Sequence, residues 1–248
     1  KWGKVGIVEK KKAAALDKIE TLGAPAVSWG VELPLRFRFM KDYIDDKGKA
    51  IRVFTGHQEG IITINLKEAD PVYREQMRVE FNEPQRTLIG HLRHEYGHYL
   101  DRCLEDSWRG EYHRLFGDPQ AISYADAKKA YYADGAEPAW QGNCISRYAA
   151  MHPWEDFAET TNFYLDVMSI LETAEKSRHF QKVAGWIDRS FIDSLNAVLS
   201  IAVSVNELNT DLGLPALLPE RLTDVVVDKL AFIDGIRIAL RESYSSAC

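Results

Sequence analysis

Apolar and basic residues alternate through Leu35-Arg36-Phe37-Arg38-Phe39, the period of a strand with one face buried. Asp45-Asp46-Lys47-Gly48 reads as a turn, and residues 50–54 as a returning strand. Gly60-Ile61-Ile62-Thr63-Ile64-Asn65-Leu66 is the strongest β signal in the chain. From Pro71 onward the period becomes helical. Pro84 is predicted to open a helix that runs to about Cys103. Residues 105–145 break into shorter helices and loops, punctuated by Gly117-Asp118-Pro119 and Asp134-Gly135. A long helix follows Pro153. Ile187, Phe191, Leu195, Val198, Ala202 and Val205 keep a helical stripe. Gly213, Pro215 and Pro219 end it, and Leu222–Leu240 forms a last amphipathic helix. Ahead of the strands, residues 10–21 read as a short helix broken by Gly23-Ala24-Pro25. No internal repeat or low-complexity segment occurs. The pattern predicts an α+β fold: a small, mostly antiparallel sheet followed by a predominantly helical body. We read residues 1–248 as a single domain, with an N-terminal helix and sheet part (1–82), a central helical part (83–175) and a C-terminal helical part (176–248).

Composition narrows the function classes. A formal charge of −6 and a pI near 5.7 argue against nucleic acid or an anionic membrane as partner, whose footprint would be basic. Lys10-Lys11-Lys12 reads as a solvated helix start. No run of eighteen apolar residues exists; the longest, Leu195 to Val205, is interrupted by Asn196, Ser200 and Ser204. Cys103, Cys144 and Cys248 form no C-x-x-C pair and read as small apolar residues in a reducing compartment. With no signal peptide visible, the expected location is the cytoplasm, although the chain opens on Lys1 rather than Met.

The chemistry is carried by His94-Glu95-Tyr96-Gly97-His98, an H-E-x-x-H motif within the helix that ends near Cys103. Residues four apart share a helix face, so His94 and His98 can present two imidazoles to one metal ion. Glu95 can then reach a water on that ion as general base. Two histidines on a solvated helix would give the same spelling, but the flanks Leu88-Ile89 and Tyr99-Leu100 are apolar and place this helix in a core. A second cluster, His152-Pro153-Trp154-Glu155-Asp156-Phe157-Ala158-Glu159, follows. Pro153 suits a first helical position, and the acidic residues suit the positive end of the helix dipole. Trp154, Phe157, Ala158, Thr161 and Leu165 mark its apolar side. Glu155 is the candidate third ligand. Glu159, one turn on, can accept the free ring N–H of a ligand histidine and fix its tautomer. Asp156 lies on another face.

On these residues the chain resembles the gluzincins, and more closely a family of bacterial zinc-binding metallopeptidases. The likeness also rests on Leu33–Phe39, Thr55-Gly56-His57, Ile61–Leu66, Arg86–His91 and Tyr148–Glu159, and it covers most of the chain from about Leu33. Many members carry a zinc ribbon upstream; this sequence has no such cysteine pairs. The resemblance implies one catalytic zinc ion, a zincin-like fold and a peptide or protein substrate. It further implies an edge strand beside the active-site helix that pairs with extended substrate, for which Gly60–Leu66 is the candidate. Attack on an amide also needs a donor to the developing oxyanion. Tyr148, seven residues before Glu155, matches the transition-state tyrosine of lethal-factor-like and Pro-Pro-endopeptidase-like gluzincins; His152 and Arg147 are alternatives. His91, one turn before His94, reads as a core or supporting histidine, since a fourth protein ligand would close a catalytic site. His57 could face the cleft, and His113 and His179 read as surface. Two other readings are a zinc-stabilised interaction module without turnover, for which Glu95 would have no use, and a zinc hydrolase of non-peptide amides.

Overall fold

The computed structural model describes residues 9–10, 12–13, 33–80, 87–136, 138–177 and 190–247. The expected helix over 10–21 lies almost wholly outside them, as do Pro84, His179, Ile187 and Cys248. The fold is α+β. Among the described residues from Leu33 onward, five short strands come first: β1 (Arg36–Met40), β2 (Tyr43–Ile44), β3 (Ala50–Ile51), β4 (Gly56–Gln58) and β5 (Ile61–Asn65). Seven helices follow: α1 (Pro71–Glu80), α2 (Leu88–Cys103), α3 (Asp106–Phe116), α4 (Tyr124–Asp134), α5 (Pro153–Lys176), α6 (Phe191–Asp211) and α7 (Asp224–Ala247).

The main sheet has the order β1-β5-β4, with β1 parallel and β4 antiparallel to β5. A separate antiparallel ribbon pairs β2 with β3. Two of the three pairings are therefore antiparallel, while the longest register, Arg36↔Ile61 to Met40↔Asn65, is parallel. This corrects the edge-strand expectation. Gly60–Leu66 contains the central strand, with both neighbours taken and Ile62 and Ile64 wholly buried; an edge position belongs to β4. The β4–β5 connection is the two-residue turn Glu59-Gly60, both with positive φ (46° and 75°), the hairpin geometry that matches strand twist. A side chain at Gly60 would also run into the Pro34 carbonyl, 2.8 Å from where its Cβ would stand.

α2 begins at Leu88, with Thr87 as N-cap accepting from the Gly90 N–H at 2.9 Å. The cap sits three residues beyond the Pro84 start that the sequence suggested. α5 begins as expected at Pro153, and α2 and α5 pack along much of their length. At the crossing Gly97 meets Ala158 backbone to backbone. Below it Arg93 bonds Asp166 and, at 2.7 Å, Ser169. α7 lies against the far side of α5. There Lys229 donates to Asp156 Oδ2 at 2.5 Å and to the Asn143 carbonyl at 2.6 Å, all but excluded from solvent. α6 is long and apolar enough to cross a membrane by composition alone; here Leu195, Val198 and Ala202 are buried where it packs on α5 and α7.

Candidate metal centre

The α2 face that looks at α5 carries His94 and His98, and the first turns of α5 answer with Glu155 and Glu159. His152 caps α5 by accepting the Trp154 N–H at 3.2 Å. Pro153 then fixes the first helical residue, so Glu155 enters the contact within one turn. His94 Nε2 and His98 Nε2 are 3.1 Å apart. Glu155 Oε2 is 3.0 Å from the first and 3.4 Å from the second. A tetrahedral ion with bonds of about 2.0–2.2 Å separates its donors by about 3.3–3.6 Å, close to this triangle.

The chemistry of the triangle also calls for a cation. His94 Nδ1 donates to Glu159 Oε1 at 2.6 Å, so Nε2 is the ring nitrogen turned toward Glu155 and His98. Glu155 Oε2 is buried 3.0 Å from that nitrogen. Burial favours the neutral form of His94, but Glu155 and Glu159 outweigh it and raise its pKa well above the usual imidazole value. Burial likewise raises Glu155, but the two imidazoles outweigh it and hold the carboxyl well below its usual range. Two histidine nitrogens and an ionised carboxylate oxygen thus converge on one point, a donor set suited to zinc.

Other groups surround this point. Glu95 is buried, and burial raises its pKa while the neighbouring imidazoles and the His57 backbone N–H on β4 pull it down. Tyr148 packs its ring 6.0 Å from that of His94; burial and Glu155 drive its pKa up, so its hydroxyl stays protonated and able to donate. Both residues line a cleft of about 730 Å³, shared with His91, His94, Glu159, Arg147 and an apolar wall that includes Phe54, Met77, Trp140, Phe163 and Leu217.

The remaining histidines separate. His91 lines the cleft with Nδ1 3.5 Å from Glu68 Oε2, apart from the donor triangle. His57 sits on β4, its Nε2 accepting the Gly60 N–H at 3.0 Å, and burial lowers its pKa to about 4. His152 lies under Tyr124 and Trp154 as the α5 cap and is absent from the cleft lining. His113 is exposed. Trp154, expected on the apolar side, is 39% exposed, whereas Phe157, Ala158, Thr161 and Leu165 are fully buried.

Two contacts were invisible in the sequence. Ser146 donates to Glu159 Oε2 at 2.7 Å, and Tyr124 donates to Glu155 Oε1 at 2.7 Å. Neither lies at a helical spacing from the residue it touches, and a serine and one tyrosine of eleven carry no signal of their own.

The chain is 38% identical over 213 residues to "Uncharacterized protein Rv2568c" of Mycobacterium tuberculosis and to "Uncharacterized protein Mb2598c" of Mycobacterium bovis. The match covers 79% of this chain and 62% of each relative, so the chain spans less than two thirds of their length. No solved structure matches it. Residues 1–236 match the family described as "Putative zinc-binding metallo-peptidase", and the chain belongs to that family.

Proposed function

We propose that this chain is a zinc-dependent peptidase that holds one ion on His94, His98 and Glu155 and uses Glu95 as general base. The observation that carries this reading is the buried Glu155 oxygen that faces two imidazole nitrogens, 3.0 and 3.4 Å away. Zinc bound there would polarise a water and the substrate carbonyl, bringing the pKa of the water toward neutrality.

The chain's own groups account for the rest. Glu95 accepts the proton of the attacking water and delivers it to the leaving amine; its burial makes it a stronger base than an exposed carboxylate. The Tyr148 hydroxyl donates to the oxyanion that develops on the carbonyl oxygen. Glu159, itself held by Ser146, keeps the His94 proton on Nδ1 and its Nε2 directed into the site. The cleft of about 730 Å³ and its apolar wall suit a peptide or protein substrate.

The test is Glu95→Gln. It should retain the fold and bind zinc as wild type does, yet lose about 10²–10⁴-fold in turnover when both proteins digest a peptide library. Equal cutting by the two would remove Glu95 from its role. Zinc bound by both with no peptide cut by either would leave a non-catalytic zinc module as the better description.

A further inference from the structure

The Tyr124 hydroxyl touches the candidate third ligand directly. It donates to Glu155 Oε1 at 2.7 Å. The other oxygen of the same carboxylate, Oε2, is the one that faces His94 and His98. The two oxygens of Glu155 are therefore divided between a fixed phenol and the metal position.

We infer that Tyr124 is a positioning residue of the metal centre, committing Glu155 to offer a single oxygen. The inference rests on the reading of Glu155 as a ligand. A carboxylate with both oxygens unengaged can bind a cation through one or both. A second bound oxygen would occupy the position that a catalytic zinc keeps open for water or substrate. A charge-assisted hydrogen bond to Oε1 opposes that, and it also fixes the plane of the carboxylate.

The ring is held well enough to do this. Tyr124 is the first residue of α4. Its ring meets the His152 ring edge-on at 5.3 Å and the Trp154 ring at 5.9 Å. His152 in turn caps the helix that carries Glu155. The phenol is thus referenced to the same helix start as the carboxylate it holds.

Tyr124→Phe removes the hydroxyl and keeps the ring. The measurements are zinc affinity by chelator competition and the visible absorption spectrum of the Co²⁺-loaded protein, with Tyr148→Phe as comparison. We expect Tyr124→Phe to bind zinc about 10–100-fold more weakly, and its cobalt bands to weaken and shift as the carboxylate brings in its second oxygen. Tyr148→Phe should keep wild-type affinity. A merely structural role would lower the melting temperature without altering the cobalt spectrum. Should Tyr124→Phe not fold, Tyr124→Leu, which also lacks the hydroxyl, serves in its place and should show the same loss of affinity and the same change in the cobalt bands. Wild-type zinc affinity together with an unchanged cobalt spectrum in a folded Tyr124 variant overturns the inference alone. A wild-type protein that takes up no zinc overturns the metallopeptidase reading beneath it.

Discussion

Replacing Gly97 with alanine adds one methyl group where α2 and α5, the helices that carry the histidine pair and Glu155, meet at close range. A Cβ at that position would stand 2.7 Å from Ala158 Cα, 3.1 Å from its carbonyl oxygen and 3.2 Å from its Cβ. The nearest two are backbone atoms and cannot rotate aside. α2 and α5 would have to open by about 0.7 Å to bring the 2.7 Å approach up to the 3.4 Å at which ordinary contact begins. His94 and His98 lie on either side of Gly97, and Glu155 and Glu159 on either side of Ala158. The displacement therefore passes straight into the contacts of Glu155 Oε2 with the two imidazoles, while the nitrogen pair, on one helix, keeps its spacing. Metal sites hold their bond lengths to about ±0.2 Å, so zinc affinity should drop by at least about tenfold. Overpacking costs about 1–3 kcal/mol, against about 1 kcal/mol gained by removing a glycine from a helix interior. The metal-free variant should therefore lose up to about 2 kcal/mol. Chelator competition and denaturant unfolding read the two effects separately. A Gly97→Ala protein with wild-type zinc affinity and undiminished metal-free stability would refute the claim that the helix crossing sets the site.

The acidic residues of α5 should separate by role in zinc titrations. Glu155→Ala should nearly abolish binding, Glu159→Ala should weaken it by about 10–100-fold, and Asp156→Ala should change it least. Asp156→Ala should instead cost about 3–5 kcal/mol in denaturant unfolding, because it strands the buried Lys229 ammonium. Tyr148→Phe should leave zinc affinity and KM near wild type and reduce kcat by about 10²–10³-fold, measured on any peptide that the wild-type protein cleaves; an unchanged kcat would remove it as the oxyanion donor.

What the sequence made legible was what local spacing determines. His94 and His98 could be placed on one face because the i, i+4 relation is a property of any helix. Glu155 and Asp156 could be separated by face because Pro153 fixed where α5 starts. The misplacement of Gly60–Leu66 has a different source. A short apolar run reads the same in a central as in an edge strand, and its neighbours β1 and β4 are chosen by tertiary pairing. Trp154 misled for a related reason: its helical position matched the apolar stripe, but its ring lies outward on His152 and Tyr124 while its neighbours Glu155, Asp156 and Phe157 are buried. The supports of the site, Ser146, Tyr124 and Lys229, come from other elements altogether, and only the folded chain brings them to the carboxylates they hold.

The Asp156–Lys229 pair carries a consequence for how such a chain can change over time. Each charge is tolerable in the interior only because the other is present. Losing either alone leaves an uncompensated ion against α5, whereas exchanging both for apolar residues of similar volume is often neutral or stabilising. Positions 156 and 229 therefore form one inherited unit 73 residues apart. Among descendants of a common ancestor they should be found either both charged or both apolar, with the mixed states rare. Because Asp156 is the residue next to Glu155, drift at a site on the last helix is constrained by chemistry that it never touches.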